Sequence, residues 1–405
     1  MIQHDFRARI IVYYRNICFN KCLPKCREIN MMVYKYKRLV VKLGTSTLTS
    51  GTSHLSEEPL SNLIAQIAAL CDGGCEVILV SSGAMAAGRE ALSFPKLPKE
   101  IPAKQMLSAV GQPRLMAIYE TLFAHHNHTV AQVLLTRQDL TQRRSYLNSR
   151  NTLLALLNQK VLPIVNENDA VTTEEIRVGD NDNLSALVAN LVDADLLLML
   201  TDQPGVFTSD PRTNPKAKLL KEITSSEIPE ELWKSASNSK DELGTGGMIT
   251  KLQAADLARR SGTNVVIASG TEPEAILRTA KGDAIGTYFK ATATTLESRK
   301  RFILSGTVPT GKIQIDDGAI SALQNVSSLL PVGVTSILGE FDRGDTVAVI
   351  DINSNEIARG LTNYSSAELS KIAGRQSKDI ESILGYYYGE EVIHRDQLVL
   401  IHTPN

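Results

Sequence analysis

Five polar segments stand where apolar runs end or where helical patterns begin in this chain of 405 residues. They are VVKLGTS (40–46), SSGA (81–84), NENDAV (166–171) followed by GDNDN (179–183), TDQPGV (201–206) and LGTGGMITK (243–251). Each alone is ordinary, because a Gly-rich run is usually a loop and a lysine at a strand end usually faces solvent. Their placement at the ends of successive elements indicates a site for chemistry.

The residue types in these segments suit the handling of a phosphoryl group. Lys42 and Lys251 each supply a compact positive charge for phosphoryl oxygens. Gly44 and Gly83 let backbone N–H groups approach an anion closely. The helix starts after residues 84 and 247 add anion sites through free N–H groups and the helix dipole.

Two acidic residues complete the set. Asp169 and Asp182 each follow an asparagine, at positions 168 and 181. Three roles are open for such carboxylates: binding a substrate ammonium group, binding a metal ion, or positioning the lysines.

The residue types that are missing narrow the chemistry further. None of the seven histidines lies in these segments, no G-x-S-x-G motif is present, and no G-x-G-x-x-G follows the first strand. Phosphorylation of a carboxylate needs none of them, because a side-chain carboxyl with a pKa of ~4.3 is already ionised at neutral pH. Such an enzyme need only align the anion and neutralise charge on the transferring group.

One motif is a decoy. GTVPTGKI (306–313) nearly matches a phosphate-binding loop, but Ile313 stands where a hydroxyl is required, and a strand rather than a helix follows. We predict a β-turn there.

The elements that must position these residues follow a regular alternation. Short apolar runs predict buried strands at 39–43, 76–81, 130–135, 161–166, 195–200 and 264–268, with helical spacing between them. Strands that are apolar on both faces indicate a parallel sheet covered on both sides, an α/β fold with three αβα layers. Such sheets bind ligands beyond the carboxyl ends of their strands, where the five segments lie.

Changes in composition predict the domain boundaries. Residues 1–37 form a basic N-terminal extension, and Met31 and Met32 are candidate alternative translation starts. Residues 38–291 form the catalytic domain and 292–302 a polar linker. Residues 303–390 form a small β-rich domain, and 391–405 a C-terminal tail. The polar linker predicts little structural dependence of the catalytic domain on the second domain.

Composition excludes several classes of protein. The formal charge of −1 argues against a general nucleic-acid or membrane-surface binder, and no apolar run approaches the ~18 residues that span a bilayer. The five cysteines have no clustered histidines to complete a metal site, so we interpret them as reduced thiols of a cytoplasmic protein.

The order and spacing of VVKLGTS, SSGAMAAG, NENDAV, VGDNDNLSA, LTDQPGV and GTGGMITK resemble the amino-acid kinase superfamily, specifically the bacterial glutamate 5-kinases. The similarity runs from about Leu39 to the end. The second domain resembles a PUA domain through RGDTVAV (343–349) and IARGLTNYSS (357–366). The resemblance implies ATP-dependent phosphorylation of the side-chain carboxylate of L-glutamate, the first step of proline biosynthesis.

The resemblance also implies residue roles. Lys42 and Lys251 would stabilise the transferring phosphoryl group, and Asp182 would orient both lysines. Glutamate would be bound by Ser82, Asp169 and Asn181. The residues implied to bind ATP are Lys42, Thr201, Asp202, Thr245, Gly246, Gly247, Met248, Ile249, Thr250 and Lys251.

Cofactors and partners follow from the same resemblance. It implies ATP with Mg²⁺ and no metal site built by the protein. It also implies proline as a feedback inhibitor, with the segment around Arg143–Asn151 as the flank of the site where proline acts. It further implies a homo-oligomer, either a dimer or a tetramer, and a glutamyl phosphate reductase that accepts the labile product.

Two other functions remain open. The first alternative is an RNA-binding or RNA-modifying protein, which the PUA-like domain and the basic residues Lys300, Arg301 and Arg343 favour. The absence of a long basic or aromatic stripe in the sequence argues against it. The other alternative is a different amino-acid kinase.

Overall fold

The computed structural model describes residues 34–49, 51–52, 54–96, 100–171, 180–238, 247–294 and 309–401. The predicted N-terminal extension up to residue 33 lies outside the described residues, as do most of the predicted linker, the decoy motif up to residue 308, and Thr245 and Gly246 of the predicted ATP segment.

The catalytic domain is organised around one sheet of eight strands. They are β1 (Arg38–Leu43), β2 (Glu76–Ser81), β3 (Val130–Leu135), β4 (Leu162–Glu167), β5 (Leu196–Thr201), β6 (Glu222–Ile223), β7 (Asn264–Ser269) and β8 (Thr287–Phe289). The strand order is β3-β4-β2-β1-β5-β7-β8-β6. Neighbouring strands are parallel except β7 and β8, which are antiparallel. The mainly parallel sheet predicted from the apolar runs is confirmed.

Helices cover both faces of this sheet. They are α1 (Thr45–Thr49), α2 (Glu57–Asp72), α3 (Ala84–Ala91), α4 (Ile101–Ala124), α5 (Arg137–Thr141), α6 (Arg143–Asn158), α7 (Asp180–Leu191), α8 (Glu230–Asn238), α9 (Met248–Arg260) and α10 (Ala275–Lys281). Strand residues alternate between two hydrophobic cores. Val40 packs with α7 and α9 in one core, and Leu39 and Val41 pack with α2 and α4 in the other. The three αβα layers follow from this alternation.

A second, smaller sheet follows in the chain. Its strands are β9 (Gly311–Ile315), β10 (Val334–Leu338), β11 (Thr346–Ile350), β12 (Glu356–Leu361) and β13 (Leu398–Leu400), in the order β10-β9-β11-β12-β13. Three short helices accompany it: α11 (Asp317–Gln324), α12 (Ser366–Ile372) and α13 (Ile380–Leu384). Strand β13 lies within the segment predicted as a C-terminal tail, where it pairs with β12.

The second domain packs on helix α6 of the first. Leu147 of α6 is fully buried in a cluster with Leu361 and Val399 of the small sheet. Arg343 donates a hydrogen bond from Nη1 to Asn148 Oδ1 at 2.5 Å, and its guanidinium lies 3.7 Å from the ring centroid of Tyr388. The polar linker predicted little structural dependence of the first domain on the second, and residues outside the linker form this contact between the two.

Within the part of the chain that the structure describes, no helix is both long enough and apolar enough to cross a membrane.

Candidate active site

The first cluster of the site joins both predicted lysines to one buried carboxylate. Lys42 lies in β1, which is flanked by β2 and β5, and Asp182 lies in the first turn of α7. Lys42 Nζ is 2.5 Å from Asp182 Oδ1, and Lys251 Nζ, from the first turn of α9, is 3.4 Å from Asp182 Oδ2. Asp182 has no exposed surface. Three residues that are far apart in sequence therefore form one charged cluster at the carboxyl edge of the sheet.

Charge and burial oppose each other in this cluster. Burial by itself raises the pKa of Asp182, but the positive charges of Lys42 and Lys251 and hydrogen bonds from Lys42 and Thr250 hold it below the ordinary 3.8. Burial lowers the pKa of Lys42 from the ordinary 10.5, an effect that the charge of Asp182 opposes and that of Lys251 reinforces. The carboxylate is therefore ionised at neutral pH and attracts two cations to a buried position.

The second cluster joins two of the residues predicted to bind an amino acid. Asn181 Nδ2 donates to Ser82 Oγ and to Asn166 Oδ1, both at 3.0 Å. Asn166 in turn donates to Gln112 Oε1 at 2.8 Å, and this chain of bonds orients the Asn181 amide. Asn181 Oδ1 is buried and has no hydrogen-bond partner among the described residues. An uncompensated buried acceptor is costly, so it suits a ligand that brings a donor.

The third predicted amino-acid-binding residue is held from helix α4. Ser108, which is buried, donates from Oγ to Asp169 Oδ2 at 2.9 Å. Asp169 follows β4, and β4 pairs with β2 beside Ser82. Ser108 could not be predicted from the sequence, because nothing in the pattern of α4 shows which of its residues faces the end of β4.

A cavity of about 1550 Å³ lies at the same edge of the sheet. Thr201 and Asp202 line it at the end of β5, and Met248 and Lys251 line it from the first turn of α9. Thr201 Oγ1 donates to Asp202 Oδ1 at 2.9 Å. Lys251 belongs both to this cavity and to the Asp182 cluster, so a ligand in the cavity can reach the charged centre.

Two further residues of the cavity were missed. Gly270 and Thr271 follow β7 and line the cavity. The sequence signal for them is their position directly after the predicted strand 264–268, because ligands bind beyond the carboxyl ends of parallel strands.

The remaining residues of the predicted ATP segment separate into different environments. Gly247 is the N-cap of α9, and Met248 and Ile249 pack against a hydrophobic core of the sheet. Thr250 donates to Asp182 Oδ2 at 2.7 Å.

The arrangement suits the transfer of a phosphoryl group. Two ammonium groups, held by a carboxylate that keeps them in place, lie between a large cavity and a polar cluster with an unsatisfied acceptor. Lysines that are held in place in this way can stabilise negative charge on a transferring group without first reorganising.

Comparisons with known proteins identify the family. A family model described as the Amino acid kinase family matches residues 37–269, and one described as the PUA domain matches residues 311–384. The chain is 50% identical to a glutamate 5-kinase of Shewanella woodyi over 374 residues, covering 92% of this chain and 100% of the relative. It is 52% identical to those of Photobacterium profundum (90% and 96% covered) and Vibrio campbellii (92% and 98% covered).

The chain therefore belongs to the amino acid kinase family, among its glutamate 5-kinases, and carries a C-terminal PUA domain. The resemblance inferred from the motifs is confirmed at the level of the family.

Proposed function

We propose that this chain phosphorylates the side-chain carboxylate of L-glutamate with ATP, giving L-glutamyl 5-phosphate in the first step of proline biosynthesis. The observation that carries the proposal is the convergence of Lys42 and Lys251 on the buried Asp182 beside the cavity. The relatives that match nine-tenths of the chain are named glutamate 5-kinases, which supports this substrate.

In this proposal the transfer is a direct in-line displacement. The acceptor carboxylate is already ionised at neutral pH, so no residue has to remove a proton. Lys42 and Lys251 neutralise the charge that spreads over the transferring phosphoryl oxygens. Asp182 does not touch the reacting atoms and keeps both ammonium groups in place.

The amino-acid end of glutamate is assigned to the polar cluster. Asp169 would pair with the substrate ammonium group, and the unsatisfied Asn181 Oδ1 would accept a hydrogen bond from it. Ser82, which already binds Asn181, would contact the substrate through its hydroxyl or its backbone.

The nucleotide is assigned to the cavity lined by Thr201, Asp202 and the start of α9. No three His, Cys, Asp or Glu side chains in the described ranges are grouped to hold a metal ion. Mg²⁺ commonly binds through substrate phosphates together with one or two carboxylates. We accordingly assign Mg²⁺ to the ATP phosphates and derive no step from it.

The wider setting is also part of the proposal. The protein would act in the cytoplasm as a homo-oligomer, either a dimer or a tetramer. Proline would inhibit it with Arg143–Asn151 as the flank of its site, and a glutamyl phosphate reductase would take over the labile acyl phosphate. The family membership supports each of these assignments.

Measuring ADP release with four competing acceptors tests the function directly. Purified protein is assayed with glutamate, aspartate, carbamate and N-acetylglutamate, and hydroxylamine traps the acyl phosphate as a hydroxamate. We expect ADP release and hydroxamate with glutamate alone. Faster turnover with another acceptor would assign the chain to a different amino-acid kinase.

A further inference from the structure

Thr250 lies in the segment whose motif implies contact with ATP, but its side chain faces the charged cluster. Its Oγ1 is 2.7 Å from Asp182 Oδ2. Its neighbours Met248 and Lys251 line the cavity, whereas Thr250 does not. The side chain is therefore placed to act on Asp182 and not on a nucleotide.

The hydroxyl group of Thr250 can donate a hydrogen bond to only one of two nearby acceptors. Thr250 Oγ1 lies near two acceptors, Asp182 Oδ2 at 2.7 Å and Gly247 O at 2.8 Å, but it carries a single hydrogen. Gly247 O already accepts the backbone N–H of Thr250 at 3.1 Å. A hydrogen bond to an ionised carboxylate is about twice as strong as one between neutral groups. The hydroxyl hydrogen therefore belongs to Asp182.

This bond fixes the orientation of the carboxylate. Lys42 holds Oδ1 at 2.5 Å, whereas Lys251 reaches Oδ2 only at 3.4 Å. The shorter contact to Oδ2 is the one from Thr250. Without it, the carboxylate could rotate toward Lys42, and Lys251 would lose its restraint.

The same bond connects two helix starts. Asp182 lies in the first turn of α7 and Thr250 in the first turn of α9, 68 residues apart. Since Lys251 directly follows Thr250, fixing Thr250 against Asp182 also fixes the backbone that carries the second lysine.

We infer that Thr250 is a positioning residue for the phosphoryl transfer, which holds Asp182 so that Lys42 and Lys251 are spaced for the transferring group, and that it is not an ATP ligand. The inference rests on the proposed function, which supplies the reaction.

Thr250→Val and Thr250→Ser separate these roles, because valine keeps the shape and removes the hydroxyl, while serine keeps the hydroxyl. We expect Thr250→Val to lower kcat by about 10- to 100-fold, the range for losing a hydrogen bond to a charged group. The KM for ATP should change by less than about threefold, because ground-state binding is not affected. Thr250→Ser should restore most of kcat.

Thr279→Val is the matched control. Thr279 is a buried helical threonine in α10 whose hydroxyl donates to the backbone oxygen of Ala275. It should leave kcat within about twofold, since it touches no residue of the charged cluster. A rise in the KM for ATP of Thr250→Val with unchanged kcat would instead make Thr250 a nucleotide ligand and overturn the inference. Failure of serine to restore kcat would do the same.

A measurement without turnover distinguishes this inference from the proposed function. If the parent protein releases no glutamate-dependent ADP, the function fails, but the Thr250–Asp182 bond can still be tested by thermal unfolding. Thr250→Val should lower Tm less in an Asp182→Asn background than in the parent, because the acceptor is then neutral. Equal losses of Tm in both backgrounds would show that the bond contributes nothing.

Discussion

Lys42 and Lys251 approach the same carboxylate from a strand and from a helix, and this gives them a common task. Charge that is aimed at the transferring group matters more in the transition state than in the bound substrate. We expect Lys42→Ala or Lys251→Ala to lower kcat by ~10²-fold or more, the scale of one preorganised electrostatic contact. Steady-state kinetics with glutamate and ATP measure this. A kcat within about threefold of the parent would remove that lysine from the mechanism.

The pKa of Lys42 gives the site a predictable alkaline limit. Burial lowers this pKa below 10.5 and Asp182 opposes the decrease. Since Lys42 acts only when protonated, kcat should fall as pH rises through a value below that of a free lysine. Asp182→Asn removes the opposing charge, so this alkaline decrease in kcat should occur at lower pH in the variant. Profiles of ADP release against pH for both proteins measure the shift. A decrease that moves to higher pH in the variant would contradict the assigned charges.

Replacing one carboxylate oxygen of Asp169 by an amide nitrogen tests the role proposed for this residue. Asp169→Asn keeps the shape and removes the negative charge proposed to face the substrate ammonium group. The KM for glutamate should rise by about 10-fold or more while that for ATP stays nearly unchanged. Ser108→Ala, which leaves the charge and removes only one hydrogen bond, should have a smaller effect of the same kind. A matched rise in both KM values would mean that Asp169 serves the nucleotide or a metal.

At the scale of elements, helices α3 and α4 cross with their backbones in contact. A Cβ on Gly111 would lie 1.8 Å from Ala84 O, and one on Gly88 would lie 2.0 Å from Leu107 O. This crossing sets the distance between the start of α3, next to Ser82, and Ser108 of α4. Only glycine allows so close an approach.

Gly111→Ala should therefore force the two helices apart. We expect a loss of stability of about 1–3 kcal/mol or more, together with a higher KM for glutamate, because Ser108 moves with α4. Thermal unfolding and glutamate kinetics measure both. Gly318→Ala in α11 is the control, since its nearest heavy atom would be a side-chain oxygen at 3.3 Å. Comparable losses in the two variants would show that the crossing is not tight in solution.

At the scale of the whole molecule, we expect the contact between the domains to contribute to stability and not to catalysis. A chain that ends near Thr295 keeps every described residue assigned to the site but exposes Leu147, which packs on Leu361 and Val399. We expect it to keep kcat within a few-fold and to lose Tm, by about 2–4 °C for each kcal/mol of stability lost. A truncated protein that is folded by circular dichroism and catalytically dead would place part of the active site in the second domain.

The same contact bears on the RNA-binding alternative. Of its three basic residues, Lys300 and Arg301 lie outside the described residues. Arg343 is buried, donates to Asn148 and stacks on Tyr388, so it is not exposed to a nucleic-acid backbone. Elution of the protein from heparin at physiological salt remains the simple check of this alternative.

The sequence by itself determined the sheet, the family and the identity of the charged residues. Apolar runs that alternate with helical spacing indicate a parallel sheet, and the carboxyl ends of parallel strands share an edge, so strand-end residues such as Lys42, Ser82 and Thr201 were expected at that one edge. The tertiary structure decided which partners the helix side chains meet: Thr250 meets Asp182, Ser108 meets Asp169, and Asn148 meets Arg343. These pairs are 61 to 195 residues apart in the chain. They depend on how helices rotate and cross when their side chains pack, and no local spacing encodes that rotation.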